Sequence, residues 1–322
     1  MPQIFLRLTV TALLCLSGLS CSDSSVPPST STTPVIPSEV LTRFPESTWL
    51  NTDEDILNHL SFQPVECINT EAYSSNTYQI DAGKAAFNTP ALLGGQAARM
   101  GISCNTCHRS GQDNPDFFIA GISDSPGRLD VTHGFFSEVR EDNNFNPVPI
   151  PSLLNIKNKT SFGTVKPTDT LESFIHGVIV DEFDGQEPAP EVMQAVLAYV
   201  SALDAQSCDI NSQLIHNLET DLDFLTTTID TLYRAIDRDD SDNISMLVLA
   251  AQSLLQNIHA RYTNHPDILA DIEHMSRDLR AIYRQAREDQ RFLLVDWQNR
   301  FNTLKTTLIE QEKNSLYRLP QL

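Results

Sequence analysis

The chain is 322 residues long, room for one large domain or two modest ones, and its 42 acidic against 22 basic residues leave a formal net charge of −20. That balance argues against a binder of nucleic-acid phosphates, which needs patches of Lys and Arg. No GKS/T loop, GxGxxG or GxSxG occurs in the sequence, so nucleotide-binding and acyl-transfer readings start without support.

In chain order, the first feature is an apolar run from Ile4 to Leu19 in which Arg7 is the only charge. It is too short to span a membrane and has the size of a signal peptide. The run ends in Gly18-Leu19-Ser20-Cys21, which resembles the lipobox of bacterial lipoproteins, whose cysteine is lipidated and becomes the first mature residue. The match departs from that pattern, which has Leu where Gly18 stands and a small residue at Leu19. A soluble periplasmic chain is therefore the other reading. Residues 1–21 are expected to direct export, with a lipid anchor at Cys21 holding the chain on the periplasmic side of the cell envelope.

Export changes how the cysteines are read. Cys15 leaves with the signal and Cys21 takes the lipid, so Cys67, Cys104, Cys107 and Cys208 remain. Unpaired thiols are unusual in an oxidising compartment. Cys67 and Cys208 bracket the central segment and are expected to pair, with two buried free thiols as the alternative.

Residues 22–46 are rich in Ser, Thr and Pro without apolar periodicity and read as a tether. Residues 52–60 (TDEDILNHL) suggest a short helix opened by Thr52. A first domain is expected over 47–208, with helical pieces at 80–87 and 92–100, turn residues concentrated between 110 and 168, and no lasting strand alternation. Two amphipathic helices follow. TLESFIHGVIVDEF carries a stripe of Leu171, Phe174, Ile175, Val178 and Ile179, and PEVMQAVLAYVSAL one of Val192, Met193, Val196, Tyr199, Val200 and Leu203. From 209 onward Gly and Pro almost vanish. Long runs at 210–237, 244–262 and 266–318 are broken only by RDDSDN and TNHP, which predicts an antiparallel helical bundle over 209–322, the last run forming two helices or one bent one.

The chemistry concentrates in GISCNTCHRSG (101–111), where Cys104-x-x-Cys107-His108 admits three readings. A structural zinc site needs four ligands, usually two separated pairs, and neither a second CxxC nor an HxxxH is present. A redox dithiol wants CxxC between a strand and a helix, and the helix-like GGQAARMG stands where the strand would be. Covalent attachment of a c-type haem uses this spacing directly. Two thiols separated by two residues add to the two vinyl groups of the porphyrin, and the next residue, a histidine, supplies a nitrogen to the iron. Attachment takes place outside the cytoplasm, in keeping with the export signal. Cys104 and Cys107 are thus the expected haem attachment sites and His108 the proximal ligand of one covalent haem c.

Around this motif, GKAAFNTPALLGGQAARMGISCNTCHRSG, PIPSLLNI (149–156), TLESFIHGVIV and EVMQAVLAYVSAL together resemble the di-haem cytochrome c peroxidase superfamily over about 76–205. The resemblance implies an all-α, cytochrome c-like haem domain. The fold expected is that domain, with long loops, followed by the bundle. Members of that family carry two CxxCH motifs, and this chain has one, so it is similar to a single haem domain of the pair.

A second axial ligand is not settled by spacing: His133, His176, Met193 or no protein group at all remain open. Met100 lies on the approach to the proximal side. In the family a distal Met or Tyr falls near the position of Val178, which cannot ligate; His176 is two residues away, on the opposite helix face. A carbonyl of NPVPIP is a candidate partner for the His108 ring, and Arg109 or Arg128 for a haem propionate. His216, His259, His265 and His274 form no catalytic pattern. The function expected is single-electron transfer with an unidentified redox partner protein, for which a basic partner would suit the acidic surface. Its rivals are a peroxidase-like enzyme with an open or displaceable sixth iron site, and a bundle-centred scaffold or sensor.

Overall fold

Short side-chain caps set where the helices begin. The structure, a computed structural model, describes residues 61–318; the expected signal segment with Cys21, the tether and the helix at 52–60 lie outside the described residues. Helix α1 (Thr70–Phe87) opens at Asn69, whose side chain accepts from the Ala72 N–H at 2.9 Å, satisfying one of the donors that a first turn leaves free. Three short helices follow: α2 (Pro90–Leu93), α3 (Gly95–Arg99) and α4 (Cys104–Cys107). Two-residue strands β2 (Arg128–Leu129) and β3 (Val148–Pro149) then pair antiparallel, Arg128 opposite Pro149. Helix α5 (Leu171–Gly177), opened by Thr170, widens into a π-turn over Val178–Glu182, and α6 (Pro190–Ala202) starts on a proline, the residue a first turn tolerates best.

Helices α1 and α6 form the frame of this half. They approach so closely at Gly83 that a Cβ there would lie 1.9 Å from the Ala195 carbonyl oxygen and 2.8 Å from Tyr199 Cβ. Only glycine permits that approach. Phe87, Leu93, Phe117, Tyr199 and Leu203 are buried in the core that the frame closes.

The second half is a set of four helices, α7 (Leu218–Asp237), α8 (Ser241–Ala260), α9 (Pro266–Tyr283) and α10 (Arg287–Gln311). Asn217 and Thr220 cap α7 reciprocally, at 3.0 and 3.1 Å. Their apolar stripes meet in one cluster around Leu225, Leu247, Leu279 and Trp297, and the Trp297 indole N–H donates to the Met275 carbonyl at 2.8 Å. The long run beginning at 266 is two helices, as its length allows, broken at 284–286.

One expectation changes. The run beginning at 210 turns helical only at Leu218, because 213–215 form strand β4 (Gln213–Ile215), antiparallel to β1 (Phe62–Pro64) with Phe62 opposite Ile215. Backbone pairing with a segment some 150 residues upstream is invisible to local periodicity. The class nevertheless stands: the described residues are mostly helical, with four strands of two or three residues.

The Cys67–Cys208 disulfide, its Cα atoms 5.2 Å apart, is the pairing expected from export and closes the first half ahead of α7. The two halves are joined at more than one place. Tyr78 and Ala85 of α1 belong to the cluster of the four-helix half. The Tyr78 hydroxyl donates to Asp240 at 2.7 Å, and the Arg238 guanidinium sits 4.6 Å from the centre of the Tyr78 ring.

Candidate functional site

Helix α4 is a single turn, and its cap decides where the motif points. Ser103 precedes it; the Ser103 N–H donates to Thr106 Oγ1 at 3.0 Å, and the side chains of the two residues complete a capping box. One turn of helix places residues three apart on one side, so Cys104 and Cys107 share a face. His108 then leaves the helix with φ −116° and ψ 68°, which turns its ring away from the helical path. The ring Nδ1 lies 2.9 Å from the Pro151 carbonyl oxygen. A carbonyl can only accept, so Nδ1 carries the hydrogen and Nε2 keeps its lone pair.

Pro151 is held in place by the backbone around it. Ile150 N–H donates to Gly127 O and Leu153 N–H to Gly111 O, both at 2.9 Å. Gly111 has φ +79°, and a Cβ there would lie 2.6 Å from Leu203 Cδ1, so this crossing requires glycine on both grounds. The histidine's partner is therefore positioned by a loop more than forty residues away, the NPVPIP segment that the sequence marks as a candidate.

Cys104, Cys107 and His108 line one cavity of about 290 Å³. Its remaining wall is mainly apolar, with Phe87 and Leu93 from the first helices, Val196 and Val200 from α6, and Phe174 and Val178 from α5 and the π-turn. Desolvation in this setting pushes the Cys104 thiol up to about 12 and raises that of Cys107 further. The same desolvation lowers His108 to about 4, against the opposing pull of its bond to Pro151. At neutral pH the site thus presents two protonated, unpaired thiols and a neutral imidazole. A redox dithiol needs a depressed thiol instead. Among the described residues no group of three or more His, Cys, Asp or Glu side chains is gathered to hold a bare metal ion.

The cavity wall also contains a buried ion pair that the sequence reading passed over. Arg140, from the loop between β2 and β3, places Nη1 3.4 Å from Glu182 Oε2 at the end of the π-turn, and the two side chains are 7% and 9% exposed. Burial raises the Glu182 carboxyl to about 8, with Arg140 pulling the other way. Arg140 Nε has no hydrogen-bond partner. The edge of Phe136 on Phe183, centroids 5.1 Å apart, fixes the loop to the π-turn. A signal for Glu182 exists in the sequence: it falls four residues after Val178, on the face marked by Leu171, Phe174 and Val178, where an acid is out of place. Arg140 sits in an irregular loop that carries no period.

The other candidates lie elsewhere. His176 is half-buried, its side chain 40% accessible, and its Nε2 meets Glu187 at 2.8 Å. Met193 is buried in the core of its half, on α6, and does not line the cavity. His133 Nδ1 accepts from the Phe135 N–H within its own turn at 3.0 Å. Arg109 donates to the Phe62 carbonyl, and Arg128 pairs with Asp124 at 2.9 Å; neither lines the cavity, whereas Lys159 and Lys166 do. Of the histidines beyond 209, His216 pairs with Asp221 at 2.7 Å and His265 with the Asn314 carbonyl at 3.1 Å.

No described helix is long and apolar enough to cross a membrane. A scan against protein-family models finds no match to this chain, and searches among curated proteins and solved structures find none.

Proposed function

We propose that this chain is an exported c-type cytochrome, with one haem attached through Cys104 and Cys107 and its iron ligated by His108, and that it moves single electrons to or from a protein partner. One observation carries the reading: the three side chains of the motif line a single apolar cavity, and His108 is oriented there by Pro151 with Nε2 free. The donor set fits such a cofactor. Two unpaired thiols share one helical face, the walls are apolar as a macrocycle requires, and Lys159 and Lys166 stand at the wall as counter-charges for its carboxylates. When bound, the haem supplies one-electron chemistry, with its potential set by the axial ligands and by burial. The protein's share is to hold the thiols, keep the imidazole neutral and aimed, and exclude water. The likeness to one half of a di-haem peroxidase and the lipid anchor at Cys21 belong to the same proposal.

The test is the visible spectrum of the full chain produced with a c-type haem maturation system. Replacing His108 by Ala is expected to abolish the normal haem spectrum; an unchanged spectrum would sink the assignment. A peroxidase-like reading, with an external electron donor, is favoured by one observation. Among the described residues lining the cavity, His108 is the only histidine and there is no methionine, so neither of the usual second ligands is at hand. A high-spin spectrum that changes on adding peroxide would put the enzyme first, whereas a low-spin spectrum indifferent to peroxide would favour the carrier.

A further inference from the structure

Besides the histidine, the described cavity wall offers the iron one carboxyl group, which would give up its proton on binding. Glu182 is buried, lines the same cavity as Cys104, Cys107 and His108, and is held through Oε2 by Arg140. A carboxylate taken out of water is costly unless a positive charge or donors compensate. Arg140 does this incompletely, at 3.4 Å through one nitrogen, and its own Nε has no partner. The pair is thus arranged for a further charged group within the cavity. The local backbone fits such a role: Glu182 closes a π-turn, a widening of the helix that shifts one side chain out of the regular register and recurs at functional sites.

Position agrees with this. Glu182 shares the cavity wall with Cys104, Cys107 and His108 while belonging to a different element, the π-turn. A haem tethered at those two sulfurs would lie in the cavity that the π-turn also lines.

We propose that Glu182 supplies the sixth ligand of the haem iron, a carboxylate braced by Arg140. The inference rests on the haem reading above. A carboxylate is a hard oxygen donor that favours the oxidised metal, and as an axial ligand it sets a lower potential than methionine would. It is also more readily displaced than an imidazole, so the same residue would leave the iron open to small ligands without an empty position in the resting protein. Arg140 is then a positioning residue, fixing which way the carboxylate points.

The experiment uses the full chain with haem attached, and covalent haem is counted first by a denaturing haem stain. Absence of covalent haem in the wild type would overturn the parent reading and this one with it. With haem present, the oxidised spectrum and spin state decide the inference alone. Glu182→Gln, which removes the anionic ligand, should shift the high-spin charge-transfer bands of the oxidised protein and raise its midpoint potential. Glu182→Met, which keeps a side chain long enough to reach, should yield a low-spin histidine–methionine spectrum. If Glu182→Met stays high-spin and Glu182→Gln leaves the oxidised spectrum unchanged, Glu182 is near the iron without binding it and the proposal is overturned, even where the potential moves. If one variant fails to fold, the spectrum of the other decides by the same criterion.

Discussion

Single atoms control this molecule in two places. At His108 one carbonyl, that of Pro151, chooses the tautomer and so decides which ring nitrogen is available. At Gly83 a missing Cβ lets α1 and α6 touch. Gly83→Ala would drive a methyl into the Ala195 carbonyl at 1.9 Å, which backbone cannot yield to without moving a helix. Overpacking of this kind costs on the order of 1–3 kcal/mol or more. A lowered thermal midpoint is expected, together with an altered spectrum of the proposed haem, since Val196 and Val200 of the same helix line the cavity. A wild-type melting curve would show that the helices can separate freely there.

Among elements, the pieces that matter most are the shortest. One turn of helix carries the cysteines, a two-strand pairing anchors the loop that holds Pro151, and β1 with β4 ties the beginning of the described chain to the entrance of α7. None of these would persist alone; each is stabilised by the frame around it. The Cys67–Cys208 bridge supports this arrangement over a separation of 141 residues. In the chain-entropy picture a loop beyond 100 residues gives about 4–5 kcal/mol. Replacing both cysteines by Ser should therefore lower the denaturant midpoint markedly, while the spectrum of the proposed haem at low denaturant stays unchanged, because neither residue lines the cavity. An unmoved midpoint would mean that the β1–β4 pairing and the helix contacts suffice without it.

On the scale of the whole chain, the junction between the halves contains a buried acid. Asp81 of α1 accepts from Tyr73 at 3.0 Å and faces Arg234 of α7 at 3.4 Å. Burial nevertheless holds its carboxyl above the ordinary value, against the pull of Tyr73, Arg234 and Lys84. The folded chain therefore keeps this proton longer than the unfolded one does. Its contribution to stability is complete below the ordinary value of 3.8 and is lost as pH rises through the raised folded value. Asp81→Asn should flatten stability against pH above about 4 relative to the wild type, as read by denaturant melts at a series of pH values. Parallel curves for the two proteins would refute the assignment.

What the sequence determined by itself is what local chemistry determines. The mostly helical class and the expectation that the run from 266 is two helices or one bent one follow from periodicity and length, and thiol arithmetic made Cys67 and Cys208 candidates to pair. The residues of the motif at 104–108 are legible in the same way, because attachment chemistry fixes their spacing, and the proline-rich loop announced a carbonyl for His108. Tertiary structure decided the rest. Strand β4 hides in a helical-looking run because its partner is far away in sequence. His176 and Met193 are chemically able to ligate, yet a turn of helix directs one to Glu187 and the other into the core. Glu182 and Arg140, 42 residues apart, become a pair only when the loop folds onto the π-turn, since charge complementarity across a cavity depends on distance through space and leaves no period along the chain.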